Sequence, residues 1–569
     1  MSKKLVFILV VFFTFYACSD DDKTKLPAPE VTDVTINGSS SEENSLHIEL
    51  GEDLSFSLKL KEKMDVTYSW ILQDQEVSTA ENFTFTPEET GEYKLVVKMT
   101  NTDGVSSVKE IGFITVVHAV PVIKNLLCDG EVVSEEIKVT ATSELVFKVD
   151  AEKTDKATFH WIINGDTIPE AKEATLNFNL GLSGTLSVAI VNPDNISTTK
   201  EANLVGPYKN GTLVFGTSYT GLCFIGEDGV QENDNVYETI NKGEKLGDNG
   251  VNDLQIYKNK IFFLIPSISY SDKRSQIVVA DAQTLKKIDV ITATGFTASN
   301  LGTIYNLAII NNDKAYIGSN LIASGNTSSV KVLDLKERVM ADEAIEGTSG
   351  KMGTDGPGWA RMLTLDKQTL VACGGKIQVI NHKTDKVEKT IDFKSGQVID
   401  VIQGKDKKVY ALVNAEKSSN PGFVATLNSE TFAIESEEKM IYNERNISFN
   451  GGGMGMTNSR VAVSPITDEF FFSVAGASAW SPSSEIYKYN YTSKKVDWFA
   501  DVKKDSNASA INGYMGVDSK GILFVPLSGE YSYQNEDIVA YDIQVGNKVA
   551  NHKRLKQGEG STYPTWLSR

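Results

Sequence analysis

The side chains that most often do chemistry are sparse and scattered in this 569-residue chain. Its histidines, His47, His118, His160, His382 and His552, fall in separate segments with no HxH, HExxH or HxxxH spacing, whereas a zinc or iron site needs three or four converging ligands. Cys128, Cys223 and Cys373 stand far apart with no CxxC, which argues against a zinc ribbon or a redox pair and reads as small buried hydrophobes. Neither a GxSxG elbow nor a GxxxxGK[ST] loop occurs, so the simplest acyl- and phosphoryl-transfer sites are missing. The glycine run NGGGMGM from Asn450 to Met456 follows no strand and opens no helix of the nucleotide-binding kind, and reads as a loop. Carboxylates are numerous enough to furnish a glycosidase pair, which keeps a polysaccharide-active enzyme as an alternative. The leading reading is a binding protein and not an enzyme, with no cofactor and no metal.

What remains is a set of long segments carrying rings, amides and glycine in place of charge. They are ATGFTASNLGTIYN with Phe296, Asn300 and Tyr305, KMGTDGPGWAR with Met352, Trp359 and Arg361, and NISFNGGGMGM with Phe449 and Asn450. SNASAINGYMG with Asn512 and Tyr514 and GEGSTYPTW with Tyr563 and Trp566 complete the set. Flat apolar rings beside amide donors suit a large, neutral, partly planar ligand or a sugar. Trp480 and Tyr531 lie in neighbouring loops and widen the same candidate rim. The competing reading is that Trp359 and Trp566, and less so Tyr305 and Tyr514, pack between repeats. Structureless insertions of this length are usually functional or disordered, which favours the first.

The elements that must hold these loops repeat. A short pattern of apolar alternation ending in Asp or Asn recurs as SQIVVAD, SSVKVLD, GKIQVIN, GFVATLN, SEIYKYN and EDIVAYD, closing at Asp281, Asp334, Asn381, Asn428, Asn490 and Asp542. A period near about fifty residues with period-2 alternation means an array of four-stranded units, a β-propeller. Inner strands are read at VNDLQIY, IYNLAII, GWARMLTL, VIDVIQG, MGMTNSRVAV and GYMGVD. A further blade begins at GTLVFGTSY, and the terminal TYPTWLSR is expected to supply its missing strand, closing seven blades and removing two exposed sheet edges.

Ahead of the ring lie two similar all-β segments, DLSFSLKL with VTYSWILQDQEV and ELVFKVDA with ATFHWIINGDTI, strands separated by turn signals every eight to twelve residues or so. Trp70 and Trp161 occupy equivalent places and are expected to fill the two cores. The expected organisation is 1–17 signal, 18–29 acidic tether, 30–118 and 119–205 β-sandwiches, and 206–569 propeller. Lys3 and Lys4 followed by LVFILVVFFTFYA make an export signal, its apolar run shorter than a bilayer span. A net charge of -19 argues against a nucleic-acid partner.

Several of these features resemble known families. Ala17 and Cys18 after the apolar run resemble a bacterial lipoprotein signal, although Phe15 stands where Leu is commonest; the resemblance implies a lipid on Cys18. Ser19 to Asp22 are similar to the surface-export tag of Bacteroidetes lipoproteins, implying an outer-membrane anchor facing outward. The sandwiches, with TGEYKLVV around Tyr93 resembling a tyrosine corner and no bracketing cysteines, look like PKD-like or Ig-like modules. GKIQVINHKTDKVEKTIDF, KAYIGSN and KVYALVN resemble the YVTN family of surface propellers over about residues 207–569. The whole architecture resembles surface lipoproteins that accompany TonB-dependent transporters, among them propellers that capture corrinoids. That resemblance implies nutrient capture and hand-off to a transporter, with Asn300, Tyr305, Trp359, Arg361, Phe449, Asn450, Trp480, Asn512, Tyr514, Tyr563 and Trp566 as expected ligand contacts. A glycan- or protein-binding adhesin is the other binding alternative.

Overall fold

The computed structural model describes residues 25–40, 45–133, 136–216, 219–232, 235–247, 250–266, 275–296, 303–321, 327–358, 360–394, 396–417, 419–450, 460–476, 483–506, 510–511, 513–528, 535–552 and 564–568. Cys18 and the signal, Asn300, Trp359, Trp480, Asn512, Tyr531 and Tyr563 lie outside the described residues, as does the side chain of Trp566.

Two β-sandwiches come first, each a four-stranded sheet facing a five-stranded one with the same strand order. In both, the first strand of the larger sheet (Ser45–Glu49, Ile137–Lys138) runs parallel to the last (Ser106–Val117, Ser197–Val205), and all other pairs are antiparallel. Trp70 and Trp161 are fully buried, and each indole N–H donates to a carbonyl, Ala80 O or Glu173 O, at 2.9 Å. The large ring fills the space between sheets while its one polar atom stays satisfied. Tyr93 donates its hydroxyl to Glu89 O at 2.8 Å, closing the tyrosine corner. A second repeated device is a buried asparagine. Asn101 Nδ2 donates to Leu26 O and Pro27 O, and Asn192 Nδ2 to His118 O and Ala119 O, so each sandwich grips the chain that enters it.

Seven sheets of the propeller follow. Blade 1 pairs Gly211–Gly216, Tyr219–Gly226 and Gln231–Glu232 with the terminal strand Pro564–Ser568, which lies innermost. Blades 2 to 6 begin at inner strands Asp253–Tyr257, Thr303–Ile309, Leu363–Thr364, Gly396–Gln403 and Val461–Val463. Blade 7 has two short inner pieces, Ala510–Ile511 and Gly516–Val517, on Ile522–Ser528. Second strands such as Lys260–Ile265 and Gln368–Cys373 are buried along nearly their whole length, whereas the outer Lys386–Asp392 alternates with solvent. That gradient follows from position: a middle strand is covered by the blades on both sides, and an edge strand on one. The ring closes through a cluster in which Val214, Cys223 and Ile225 of blade 1 meet Tyr514, Phe524 and Ile538 of blade 7.

In five of the six repeats the closing Asp or Asn has the same local cause, and Asp334 keeps only the bond to the N–H three residues on. In the five, the side-chain oxygen accepts backbone N–H groups two and three residues on: Asn381 from Lys383 and Thr384, Asn428 from Glu430 and Thr431, Asn490 from Thr492 and Ser493, Asp542 from Gln544 and Val545. This Asx turn folds the hairpin between third and fourth strands, which is why only these two residue types recur there. Asp281 makes the same turn to Gln283 and Thr284 and also accepts the N–H (2.9 Å) and hydroxyl (2.7 Å) of Ser183 in the second sandwich. Thr284 Oγ1 donates to Gly181 O at 2.8 Å, and Asn259 Nδ2 to Ser183 O at 2.6 Å. Gly181 holds φ +62 with Ala141 O only 2.2 Å from where a Cβ would stand, so the docking loop requires glycine.

Candidate functional site

The inner strands of blades 2 to 7 each place one side chain at an equivalent height around the ring axis. Each first hairpin closes at Tyr257, Ile310, Leu365, Gly404, Ser464 or Asp518. Counting back the same number of residues along each strand reaches Asp253, Asn306, Arg361, Asp400, Arg460 and Tyr514. Five of these are buried, and Arg361 retains 29% of its side-chain surface. The position is polar because it stitches blades together. Asp253 accepts Leu254 N–H (2.8 Å) and, from blade 3, Leu307 N–H (2.9 Å); Asn306 donates to Ala360 O of blade 4 (2.9 Å). Asp400 accepts Val401 N–H at 2.8 Å.

Arg361 crosses the channel. Its Nε lies 3.1 Å from Asp253 Oδ1, and its guanidinium stacks over the Tyr514 ring at 4.3 Å, so blade 4 is tied to blades 2 and 7. Burial works against the Arg361 charge, but Asp253, Tyr514 and Asp400 outweigh it and hold its pKa above the ordinary value. Burial raises the Asp253 carboxyl even against Arg361 and its two N–H donors. Asp400 is pushed up to about 7 by burial, with Val401 N–H and Arg361 only partly opposing. Beside this brace a cavity of about 540 Å³ runs from Asp253 and Arg361 to Lys258 and Asn259 in the first hairpin turn of blade 2. It therefore opens on the face where the second sandwich docks.

The aromatic rim expected from sequence is redistributed. Phe449 is 1% exposed, packed edge-on against Phe472 at 4.9 Å and bracketed by Asn414, whose amide both donates to and accepts from its backbone. Tyr305 is buried beside the bulge between Ile304 and Asn306, and Phe296 lies in the cluster between blades 2 and 3. The expectation that these rings face a ligand is corrected accordingly: apolar area at a blade junction is more stable in the seam than in water. Tyr514 is also buried, but against Arg361. Asn450 is half-buried, its N–H donating to Ser473 O at 3.1 Å. Trp566 pairs through its backbone with Val214. Of the sequence-expected contacts, only Arg361 and Tyr514 converge among the described residues. Asp253, Asn306, Asp400 and Arg460 were missed; aligning VNDLQIY with VIDVIQG and the other inner strands in one column would have found them.

Comparison with known proteins gives a family without an activity. The family model described as Domain of unknown function (DUF5074) matches residues 213–565, and a PKD-like domain matches residues 38–101. No curated protein matches the chain. Among solved structures, a quinonprotein alcohol dehydrogenase-like protein from Bacteroides thetaiotaomicron VPI-5482 is similar at 16% identity and a TM-score of 0.45, covering 79% of this chain and 100% of that one. Hydrazine synthase from Kuenenia stuttgartiensis (12% identity, TM-score 0.33, 54% and 96% covered) and the WD40 β-propeller domain of Doa1 (9%, 0.34, 55% and 84%) are also similar. At these scores the likeness is distant, and the propeller assignment stands on the strand pairing itself.

Proposed function

We propose that this chain, which belongs to the DUF5074 family, is a lipid-anchored binding protein of the outer membrane. Cys18 carries the anchor, the two sandwiches lift the propeller, and the propeller captures a nutrient, a corrinoid or similar large cofactor, for hand-off to a TonB-dependent transporter. It acts by binding and not by turnover. The observation that carries the reading is the docking of the second sandwich. Gly181 and Ser183 engage Asn259, Asp281 and Thr284, all in the turns that join the first to the second or the third to the fourth strand of blade 2. In an antiparallel blade those turns share one face, and the loops that approach the inner strands share the other. The stalk's contacts among the described residues thus fall on the hairpin-turn face, the side opposite the approaches to the inner strands.

Titration calorimetry of the mature chain with cobalamin and cobinamide is the test; sub-micromolar binding to the propeller is expected. No binding of either, together with retention of a glycan on an array or turnover of a polysaccharide, would replace capture by adhesion or catalysis. Display is tested separately: replacing Asp20, Asp21 and Asp22 by Ala should reduce protease accessibility on whole cells while lipidation continues, and unchanged accessibility would refute outward sorting by this tag.

A further inference from the structure

The cavity at the stalk-side mouth of the channel has a composition opposite to that of the protein. The chain holds 75 Asp and Glu against 56 Lys and Arg, yet Lys209, Lys258 and Arg361 line this cavity with Asp253 as the lone acid. Both oxygens of that acid are already engaged: Oδ1 accepts Leu254 N–H and faces Arg361 Nε, and Oδ2 accepts Leu307 N–H. Gln255 is fixed in the same sense: its carbonyl oxygen accepts Ile309 N–H, leaving the NH₂ group as its free end. Arg361 Nη2 is buried with no hydrogen-bond partner among the described residues, while the side chain as a whole keeps 29% of its surface and lines the cavity. Lys209 meets Glu136 of the second sandwich at 2.8 Å and Lys258 lies over the Tyr257 ring. Three cations and a free amide NH₂ against one engaged carboxylate call for a ligand made of acceptors.

The wall between these donors is apolar. Leu254, Ile256, Leu307 and Met362 face the same space, so a bare inorganic anion would satisfy the donors and leave hydrocarbon in water, whereas an organic acid satisfies both. We propose that this cavity binds a small organic carboxylate, its oxygens on Arg361 and Gln255, its apolar body on Leu254, Leu307 and Met362, and Lys258 at the rim. The site is independent of capture on the opposite face: it lies on the stalk side and its size suits a ligand well below a corrinoid.

Calorimetry of the mature chain with hexanoate, benzoate, hexan-1-ol and inorganic phosphate tests the assignment. Hexanoate and benzoate are expected to saturate one site, with hexan-1-ol and phosphate weaker by at least about tenfold. Arg361→Gln should weaken both carboxylates by about tenfold or more, and Lys258→Glu, which leaves the brace intact, by about threefold with a steeper response to salt. Equal binding of hexan-1-ol and hexanoate, tighter binding of phosphate than of either carboxylate, no saturation below about 10 mM, or unchanged affinity in Lys258→Glu would each overturn it. Corrinoid binding is read separately in the same samples, so failure of one site does not count against the other.

Discussion

Deleting residues 564–569 removes the innermost strand of blade 1 and opens the ring. Five residue pairs are lost, from Thr212↔Ser568 to Gly216↔Pro564. Pro564 has no N–H, so about four backbone hydrogen bonds disappear, at a net cost of about 2–6 kcal/mol. Leu213, Val214 and Phe215, all nearly inaccessible in the intact ring, each lose cover on one side, where full exposure of such a side chain costs about 1.5–3 kcal/mol. A total of at least about 4 kcal/mol compares with the roughly 5–15 kcal/mol that holds a typical domain together. The assay is urea unfolding followed by tryptophan fluorescence, with light scattering for the strand edge left open. With a slope of about 3 kcal/mol per molar, the midpoint should fall by about 1 M or more, and scattering should rise. Adding the peptide TYPTWLSR in trans should recover part of the loss by strand addition. A truncated chain that unfolds at the same midpoint with the same slope, and does not scatter, would refute the idea that this strand closes a cooperative ring.

Two further outcomes follow from buried carboxylates. Asp281→Ala strands the Ser183 N–H and hydroxyl in a buried junction and should cost at least about 3 kcal/mol, against about 1 kcal/mol for Asp542→Ala, whose partners are turn N–H groups alone; equal costs by urea unfolding would show that the junction is not load-carrying. Asp400 has a folded pKa raised to about 7, so the folded state holds its proton where the unfolded chain, near about 3.9, does not. Its contribution is therefore fully present below about pH 4 and lost as pH rises to about 7, and Asp400→Asn should be more stable than the parent at pH 8, by up to about 4 kcal/mol, with the gap closing toward pH 4. A constant difference across that range, measured by thermal unfolding, would contradict the assignment.

Much of the architecture was legible because it is encoded locally. Asx turns at Asn381, Asn428, Asn490 and Asp542 require a short side chain with an acceptor oxygen two residues before the N–H it receives, so the same letters recur wherever the hairpin recurs. Trp70 and Trp161 were placed correctly in the two cores because alternation fixes which face of a strand is inward. The aromatic loop residues were harder: alternation does not apply in a loop, and whether Phe449 faces solvent depends on Phe472 and Asn414, tens of residues away.

The chain alone determined that it would fold as two β-sandwiches and a propeller, since strand period, turn chemistry and repeat length are properties of short stretches. Only the tertiary structure decided what stands on the axis and which face the stalk occupies. Asp253, Arg361 and Tyr514 come from blades 2, 4 and 7, and their contact exists only once the ring has brought those strands to a common centre. Asp281 reads in sequence as one more turn residue; its bond to Ser183 arises because the second sandwich lands on that blade, a matter of packed surfaces that no local pattern records.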